Sequence, residues 1–364
     1  MPELPEVETV KRGLKPLILN KKIVQVRVAE PKCFLGAVTE VEGAKVVGLR
    51  RRGKALLIDL DNGRTVMVHL RMTGQLIWRK GDLRDGRVSP EIELVGAETD
   101  MADRQTEVET AGGKAEAAEV LRAEQFAAGH PSKNFTAALP NKQTRVTLVF
   151  EDGAVFFNDQ RKFGFMKVLP TEAVEREKFI AELGKEPWEM TAEELYAGCQ
   201  RHGRAPIKAV LLDQKVIAGL GNIYADETLF YAGVHPETRA GDLTRAEVER
   251  ILAGARATMQ AAIDSGGSTM ATYVRPDGTT GDYLEKFAQV FRREGKACPR
   301  CGAKIVKLRV AGRGTHICPK CQVKVGSVAG RGGLRAKGGA KGGLRGVKGV
   351  EGGEKMGAEG AERA

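Results

Sequence analysis

A chain of 364 residues with 42% hydrophobic content is long enough for two or three packed domains. Its 58 Lys and Arg against 47 Asp and Glu give a net charge of +11, which favours a polyanionic partner such as nucleic acid without singling one out. No apolar run reaches the ~18–20 residues that span a bilayer, and the acidic opening Met1-Pro2-Glu3-Leu4-Pro5-Glu6 lacks the basic and apolar regions of a signal peptide. This argues against membrane and secreted classes, and the expected location is the cytoplasm.

The opening run Pro2-Glu3-Leu4-Pro5-Glu6-Val7-Glu8 precedes a helical stretch. Its simplest reading is a helix start, with proline in the first turn and carboxylates facing the helix dipole. A second reading starts from removal of Met1, which a small second residue permits and which leaves Pro2 with a free secondary amine. With a generic terminal-amine pKa of about 7.8, roughly a quarter of such amines are neutral near pH 7.4, against about 0.1% of an unperturbed lysine. An unprotonated amine is a Schiff-base nucleophile toward a sugar aldehyde carbon; a nearby cation such as Lys54 would lower its pKa, and Glu3 would supply the complementary proton transfer.

From Lys22 to about Trp78 the chain alternates in short β-rich runs, Ile23–Val28, Leu56–Leu60 and Val66–Val68, with a hairpin-type turn at Asp61-Asn62-Gly63. The pattern resumes at Val146–Phe150 and, after Glu151-Asp152-Gly153, at Val155–Phe157, so one β domain is interrupted by an insertion. Residues 81–136 carry six basic and twelve acidic residues and few large apolar groups, and are expected to form a mobile acidic loop turned away from a polyanionic partner. Deletion of residues 84–136 is expected to preserve activity.

After Pro170 the period becomes helical, with amphipathic stretches near 172–184, 191–199, 206–213, 222–232 and 244–265. Cys298-Pro-Arg-Cys301, sixteen intervening residues, then Cys318-Pro-Lys-Cys321 fits a four-thiolate zinc site with no open position for catalysis, hence one structural Zn2+. Lys304, Lys307, Arg309, Arg313 and His316 between the pairs give the hairpin enough charge to meet a phosphate backbone. The last 39 residues, 326–364, contain 14 Gly and are expected to be a disordered basic tail.

Six motifs then fall in one order: Pro2–Val10; Arg50-Arg51-Arg52-Gly53-Lys54; His69-Leu70-Arg71-Met72-Thr73-Gly74; Asp159-Gln160-Arg161-Lys162-Phe163-Gly164; Leu211-Leu212-Asp213-Gln214 through Gly219-Leu220-Gly221-Asn222 to Glu227; and the cysteine hairpin with Gly312-Arg313-Gly314-Thr315. Together they resemble the bacterial formamidopyrimidine-DNA glycosylases over about 270 residues, omitting the acidic insert and the glycine tail. The resemblance implies an α+β protein: an N-terminal antiparallel β-sandwich with flanking helices (1–170, with the insert at 81–136), a helix-two-turns-helix DNA-binding domain (171–290), a zinc-finger β-hairpin (291–325) and the tail (326–364).

It also implies a monomer that excises oxidised purines from damaged double-stranded DNA and cuts the strand by β,δ-elimination, associated with the nucleoid while at work. Pro2 would attack C1′ and Glu3 would protonate the sugar ring oxygen. Lys54 would sit beside the amine, and Arg313 would meet the lesion phosphate. Met72, Arg161 and Phe163 resemble the trio that fills the gap left by the extruded nucleotide, with the Arg161 fork on the orphaned cytosine. Asn222 and Lys208 would face phosphates, with Arg201-His202-Gly203-Arg204 near the same backbone; Glu6 and Lys162 are further expected contacts.

Lys142-Gln143-Thr144-Arg145 departs from the family's Lys-His-x-His, so a histidine role there is lost or taken by Arg145 at the DNA. Damaged-base recognition would come from a loop from Gly266-Gly267-Ser268-Thr269 to Gly281. The sister family, endonuclease VIII-like enzymes of oxidised pyrimidines, typically opens Pro-Glu-Gly-Pro-Glu, whereas Leu4 and the Met72, Arg161, Phe163 trio favour the purine enzyme; a non-catalytic zinc-ribbon DNA-binding protein is the reading from another class.

Overall fold

In the computed structural model, residues 2–81, 138–267 and 287–324 are described, together with the backbone of residues 125–129. Helix α1 (Leu4–Ile18) is followed by strands β1 (Ile23–Val28), β2 (Phe34–Leu35), β3 (Val46–Arg52), β4 (Ala55–Leu60), β5 (Arg64–His69) and β6 (Gly74–Lys80). Beyond them come β7 (Gln125–Gly129), β8 (Thr144–Phe150), β9 (Gly153–Asp159) and β10 (Phe165–Pro170). They form two five-stranded sheets, ordered β1-β8-β9-β6-β7 and β2-β10-β5-β4-β3, and every pairing but the parallel β10–β2 is antiparallel.

Strand period sorts the side chains between layers. Leu56, Ile58, Val66 and Val68 of one sheet meet Leu76, Trp78, Val155 and Phe157 of the other in the sandwich core. Leu57 and Met67, one residue out of step, face Val174 and Ile180 on the outer side. The sequence put Gln125–Gly129 inside a mobile acidic loop, whereas the structure makes it an edge strand on β6, with Ile77 opposite Ala127. Cross-strand pairing overrides the weak local propensity of Gln-Phe-Ala-Ala-Gly. The remainder of the insert lies outside the described residues, and a deletion through 136 would also strip an edge from the sheet.

The helical part comprises α2 (Ala192–Arg201), α3 (Ile207–Leu212), α4 (Asn222–Ala232) and α5 (Arg245–Asp264), and the chain then forms the hairpin β11 (Val306–Val310) and β12 (Arg313–Ile317). Capping boxes at Thr191/Glu194 and Thr244/Glu247 start α2 and α5. No amphipathic stripe marks α4, because nearly all of its residues are buried. Helix α1 serves two cores: Val7, Val10, Leu14 and Ile18 pack into the sandwich, whereas Leu4 packs with Leu220, Tyr224 and Leu229 in the helical core. That division sets the amino terminus between the sandwich and the helices. Among the described residues no helix is long and apolar enough to cross a membrane.

Candidate active site

The first residues are bolted to the start of α4. The Leu4 N–H donates to the Gly219 carbonyl at 3.1 Å, and the Glu3 carboxylate accepts from the backbone N–H groups of Gly221 at 2.5 Å, Ile223 at 2.9 Å and Tyr224 at 3.4 Å. This is the anion seat of a helix N-terminus, occupied by the chain's own third residue. The turn is shaped for it: Gly219 has φ +98°, and a Cβ on Gly221 would lie 2.3 Å from Glu3 Cδ. Glu6 holds the arrangement from behind, accepting from the Glu3 N–H at 2.7 Å and from the Tyr224 hydroxyl at 2.7 Å.

Pro2 is buried beside Glu3. Burial pushes the Glu3 carboxyl up to about 7; the Lys54 ammonium opposes that rise and the Glu6 charge adds to it. Lys54, 4% exposed at the turn between β3 and β4, donates to the Leu220 carbonyl at 2.6 Å. Its own pKa is lowered, first by burial and also by Arg313, while Glu3 and Glu6 pull the other way. Gln214 completes the turn, donating to the same carbonyl at 2.8 Å and accepting from the Gly219 N–H at 3.0 Å. The cluster thus combines a carboxyl poised to exchange a proton near neutrality with an enclosed ammonium.

Arg313 is exposed at the start of β12. Beneath it Asp226 of α4 accepts from the His316 N–H at 2.9 Å and from Lys208 Nζ at 2.5 Å, and Lys208 also donates to Thr315 Oγ1 at 2.8 Å. Asn222 donates its side-chain amide to the Gly314 carbonyl at 3.0 Å. Lys208, expected among the phosphate contacts, is fully buried, so the structure gives it the hairpin and Asp226 as partners instead. Asn222, expected at a phosphate seat on the helix N-terminus, also grips the hairpin. The run Arg201-His202-Gly203-Arg204 closes α2, where Gly203 packs against Gly241.

The four thiol sulfurs of Cys298, Cys301, Cys318 and Cys321 lie within 4.8 Å of one another, with Cys298–Cys321 at 3.8 Å and Cys301–Cys318 at 3.4 Å. Four ligands at the ~2.3 Å of a metal–thiolate bond require sulfurs about 3.8 Å apart at tetrahedral corners, so this donor set fits a four-coordinate metal. Helix α4 carries this knuckle too. Glu227 accepts from the N–H groups of Gln289, Val290 and Phe291, and Arg300 donates to the carbonyls of Phe230 and Tyr231.

Sheet register brings the remaining candidates to one end of the sandwich. His69 pairs with Ala55 and with Phe165, so Lys54, the Leu70–Thr73 loop and the Phe163–Gly164 loop leave the sheet together. Met72 is half-buried; Phe163 is 56% exposed, with the Arg161 guanidinium 4.8 Å over its ring. Lys162, in a left-handed conformation at φ +58°, pairs with Glu30 at 2.5 Å. Arg145, half-buried, donates to the carbonyls of Asp159 at 2.7 Å and Lys142 at 3.0 Å, so it braces this end of the sheet.

Sequence reasoning gave no role to Tyr224, Asp226, Glu227, Gln214 or Asp159, although all stand inside recognised motifs. The available signal was Asp226-Glu227 within a helix that lacks a polar face. Of the loop expected to recognise the damaged base, Gly266 and Gly267 are described and Ser268 through Gly281 lie outside the described residues; so does the 326–364 tail.

Comparison with known proteins matches three family models in chain order: the formamidopyrimidine-DNA glycosylase N-terminal domain over residues 1–166, its H2TH domain over 183–274, and the zinc finger found in FPG and IleRS over 295–323. A formamidopyrimidine-DNA glycosylase of Exiguobacterium sp. is 36% identical over 330 residues, covering 88% of this chain and 99% of the relative. The MutM (Fpg) structure from Thermus thermophilus superposes with a TM-score of 0.67 at 32% identity, covering 89% of this chain and 99% of that one. The Lactococcus lactis Fpg bound to DNA containing an abasic site gives 0.68 at 30% identity, covering 88% and 100%.

Proposed function

The chain belongs to the formamidopyrimidine-DNA glycosylase family, and from that membership we propose that it is a bifunctional glycosylase and abasic-site lyase that removes oxidised purines from double-stranded DNA. The observation that carries this reading is the Glu3 carboxyl, buried beside Pro2, held by three N–H groups at the start of α4 and raised to about 7 with Lys54 as its neighbouring cation. The Lactococcus lactis relative in complex with abasic DNA supports the substrate class.

After removal of Met1, the Pro2 amine attacks C1′ as the bond to the damaged base breaks, and Glu3 gives its proton to the ring oxygen. Ring opening leaves an iminium between Pro2 and C1′. That electron sink acidifies the C2′ proton; its loss expels the 3′ phosphate, and a second elimination expels the 5′ phosphate. Hydrolysis of the imine then returns the free amine. Lys54 lowers the proton affinity of the amine by its charge, and Arg313 meets the phosphate that leaves. Met72, Arg161 and Phe163 occupy the gap left by the extruded nucleotide, with Arg161 on the widowed cytosine. Glu6 supports Glu3 within the same site.

In this reading the sandwich of residues 1–170 carries the nucleophile, residues 171–290 bind DNA, and residues 291–325 hold one Zn2+ through Cys298, Cys301, Cys318 and Cys321. The zinc is structural: it closes the knuckle that presents Arg313. The enzyme works as a monomer in the cytoplasm, on nucleoid DNA.

Borohydride trapping on duplexes bearing 8-oxoguanine opposite cytosine tests the proposal. A covalent adduct that disappears in Pro2→Gly is the expected result. Preference for an oxidised pyrimidine would move the protein to the sister specificity, and no adduct from folded, metal-loaded protein would overturn the enzymatic reading.

A further inference from the structure

Asp159 stands at the end of β9 with its side chain fully buried, and among the described residues the hydrogen bonds of its carboxylate hold two loops. Its Oδ1 accepts from the Thr73 hydroxyl and from the Arg161 N–H at 3.1 Å, and its Oδ2 accepts from the Gly164 N–H at 2.7 Å. The Thr73 hydroxyl in turn accepts from the Arg161 N–H at 3.1 Å. One carboxylate and one hydroxyl therefore join the loop that carries Met72 to the loop that carries Arg161 and Phe163. Gly164 leaves no slack: a Cβ there would lie 2.7 Å from Phe157 Cζ and 3.1 Å from Asp159 Oδ2.

We propose that Asp159 and Thr73 are positioning residues that fix the separation of these two loops, and thereby set how strictly the enzyme discriminates the base opposite the lesion. The inference rests on the reading that Met72, Arg161 and Phe163 fill the gap in the duplex. Met72 stands on one loop and the Arg161 fork on the other, so filling the gap and reading the widowed base depend on a spacing that neither loop fixes alone. Bidentate recognition of a base edge tolerates little displacement, which makes selectivity more sensitive to this spacing than chemistry at Pro2 is.

The test compares Thr73→Val, which keeps the shape and removes the hydroxyl, with Thr73→Ser, which keeps the hydroxyl. Each is assayed for kcat/KM on 8-oxoguanine opposite cytosine and opposite adenine, and for borohydride trapping on a single-stranded abasic oligonucleotide that offers no opposite base. Thr73→Val is expected to lower the cytosine-over-adenine ratio about tenfold and to leave single-strand trapping unchanged, with Thr73→Ser close to wild type. Asp159→Asn, which retains the shape but weakens the acceptor, is the second variant and should lower the ratio in the same direction. Equal losses on all three substrates would overturn the proposal. Arg161→Ala separates the two layers of inference: if it leaves the ratio unchanged, the gap-filling reading fails, and if it collapses the ratio while Thr73→Val does not, the positioning role alone fails.

Discussion

Lys208 Nζ lies 2.5 Å from Asp226 Oδ1 with both side chains fully enclosed, directly beneath the hairpin that presents Arg313. Burial works against the Lys208 charge, and the Asp226 carboxylate opposes that effect. Lys208→Met strands a buried carboxylate and is expected to cost about 3–5 kcal/mol of stability, read from the denaturant midpoint. The double variant Lys208→Met/Asp226→Leu should recover much of that loss. Its DNA affinity should keep the wild-type dependence on salt, whereas Arg313→Ala should reduce the slope of log K against log salt by about one. A slope that also drops in the double variant would return Lys208 to the phosphate contacts.

The Glu3 carboxyl, raised to about 7, should make base excision pH-dependent in a definite direction. A proton donor is lost as pH rises, so kcat/KM should fall above neutrality, and Glu3→Gln should be slow with no such limb. Glu6→Gln removes a charge that raises Glu3, which moves the limb to lower pH. Stability follows the same group: its contribution is complete below the unfolded value of 4.5 and is lost as pH rises through about 7, a decline that Glu3→Gln should lack.

Gly221→Ala tests the seat itself. Its backbone conformation suits any residue, but the new methyl would fall 2.3 Å from Glu3 Cδ, so Glu3 must leave its three N–H donors. Trapping should drop by roughly a hundredfold or more, while the thermal midpoint should fall by only a few degrees. Retained trapping at the wild-type rate would show that Glu3 need not occupy this seat.

Removing the metal should separate the hairpin from the rest of the fold. With a chelator, or in Cys321→Ser, DNA binding should weaken by roughly tenfold or more as Arg313 loses its platform. The sandwich core shares no residue with the small cluster of Phe230, Val290, Cys298, Ile305 and Cys318, so far-ultraviolet circular dichroism should change little. Unaltered DNA binding by metal-free protein would contradict this.

Local patterns were legible. Period-two alternation located Ile23–Val28 and Val146–Phe150, and α4 began at Asn222 as the glycine turn required. Cysteine spacing marked a metal site because two tight turns define it without help from the rest of the chain. Partners far apart in sequence were not legible. Arg50, Arg51 and Arg52 look alike in the chain, yet Arg51 is enclosed between Glu186, at 2.6 and 2.8 Å, and Glu8, at 3.1 Å, whereas Arg50 pairs with Asp59 at the surface. Lys208 looked like a free cation because its partners, Asp226 and Thr315, stand 18 and 107 positions away. The strand Gln125–Gly129 owes its form to β6, which no local rule reads.

Helix α4 is a run of eleven residues closed by a left-handed Gly233, with Glu3 seated at its first turn, the hairpin hung from Asp226 in its middle, and the metal knuckle fastened to its last carbonyls. Its parts therefore share one rigid axle. A sideways shift of about an ångström at either end would move Glu3 and Arg313 together, so neither can be retuned alone by changes that tilt the helix. Variation that alters substrate preference without loss of rate should accumulate in the loops that carry Met72, Arg161 and Phe163, which Asp159 ties to one another rather than to this helix.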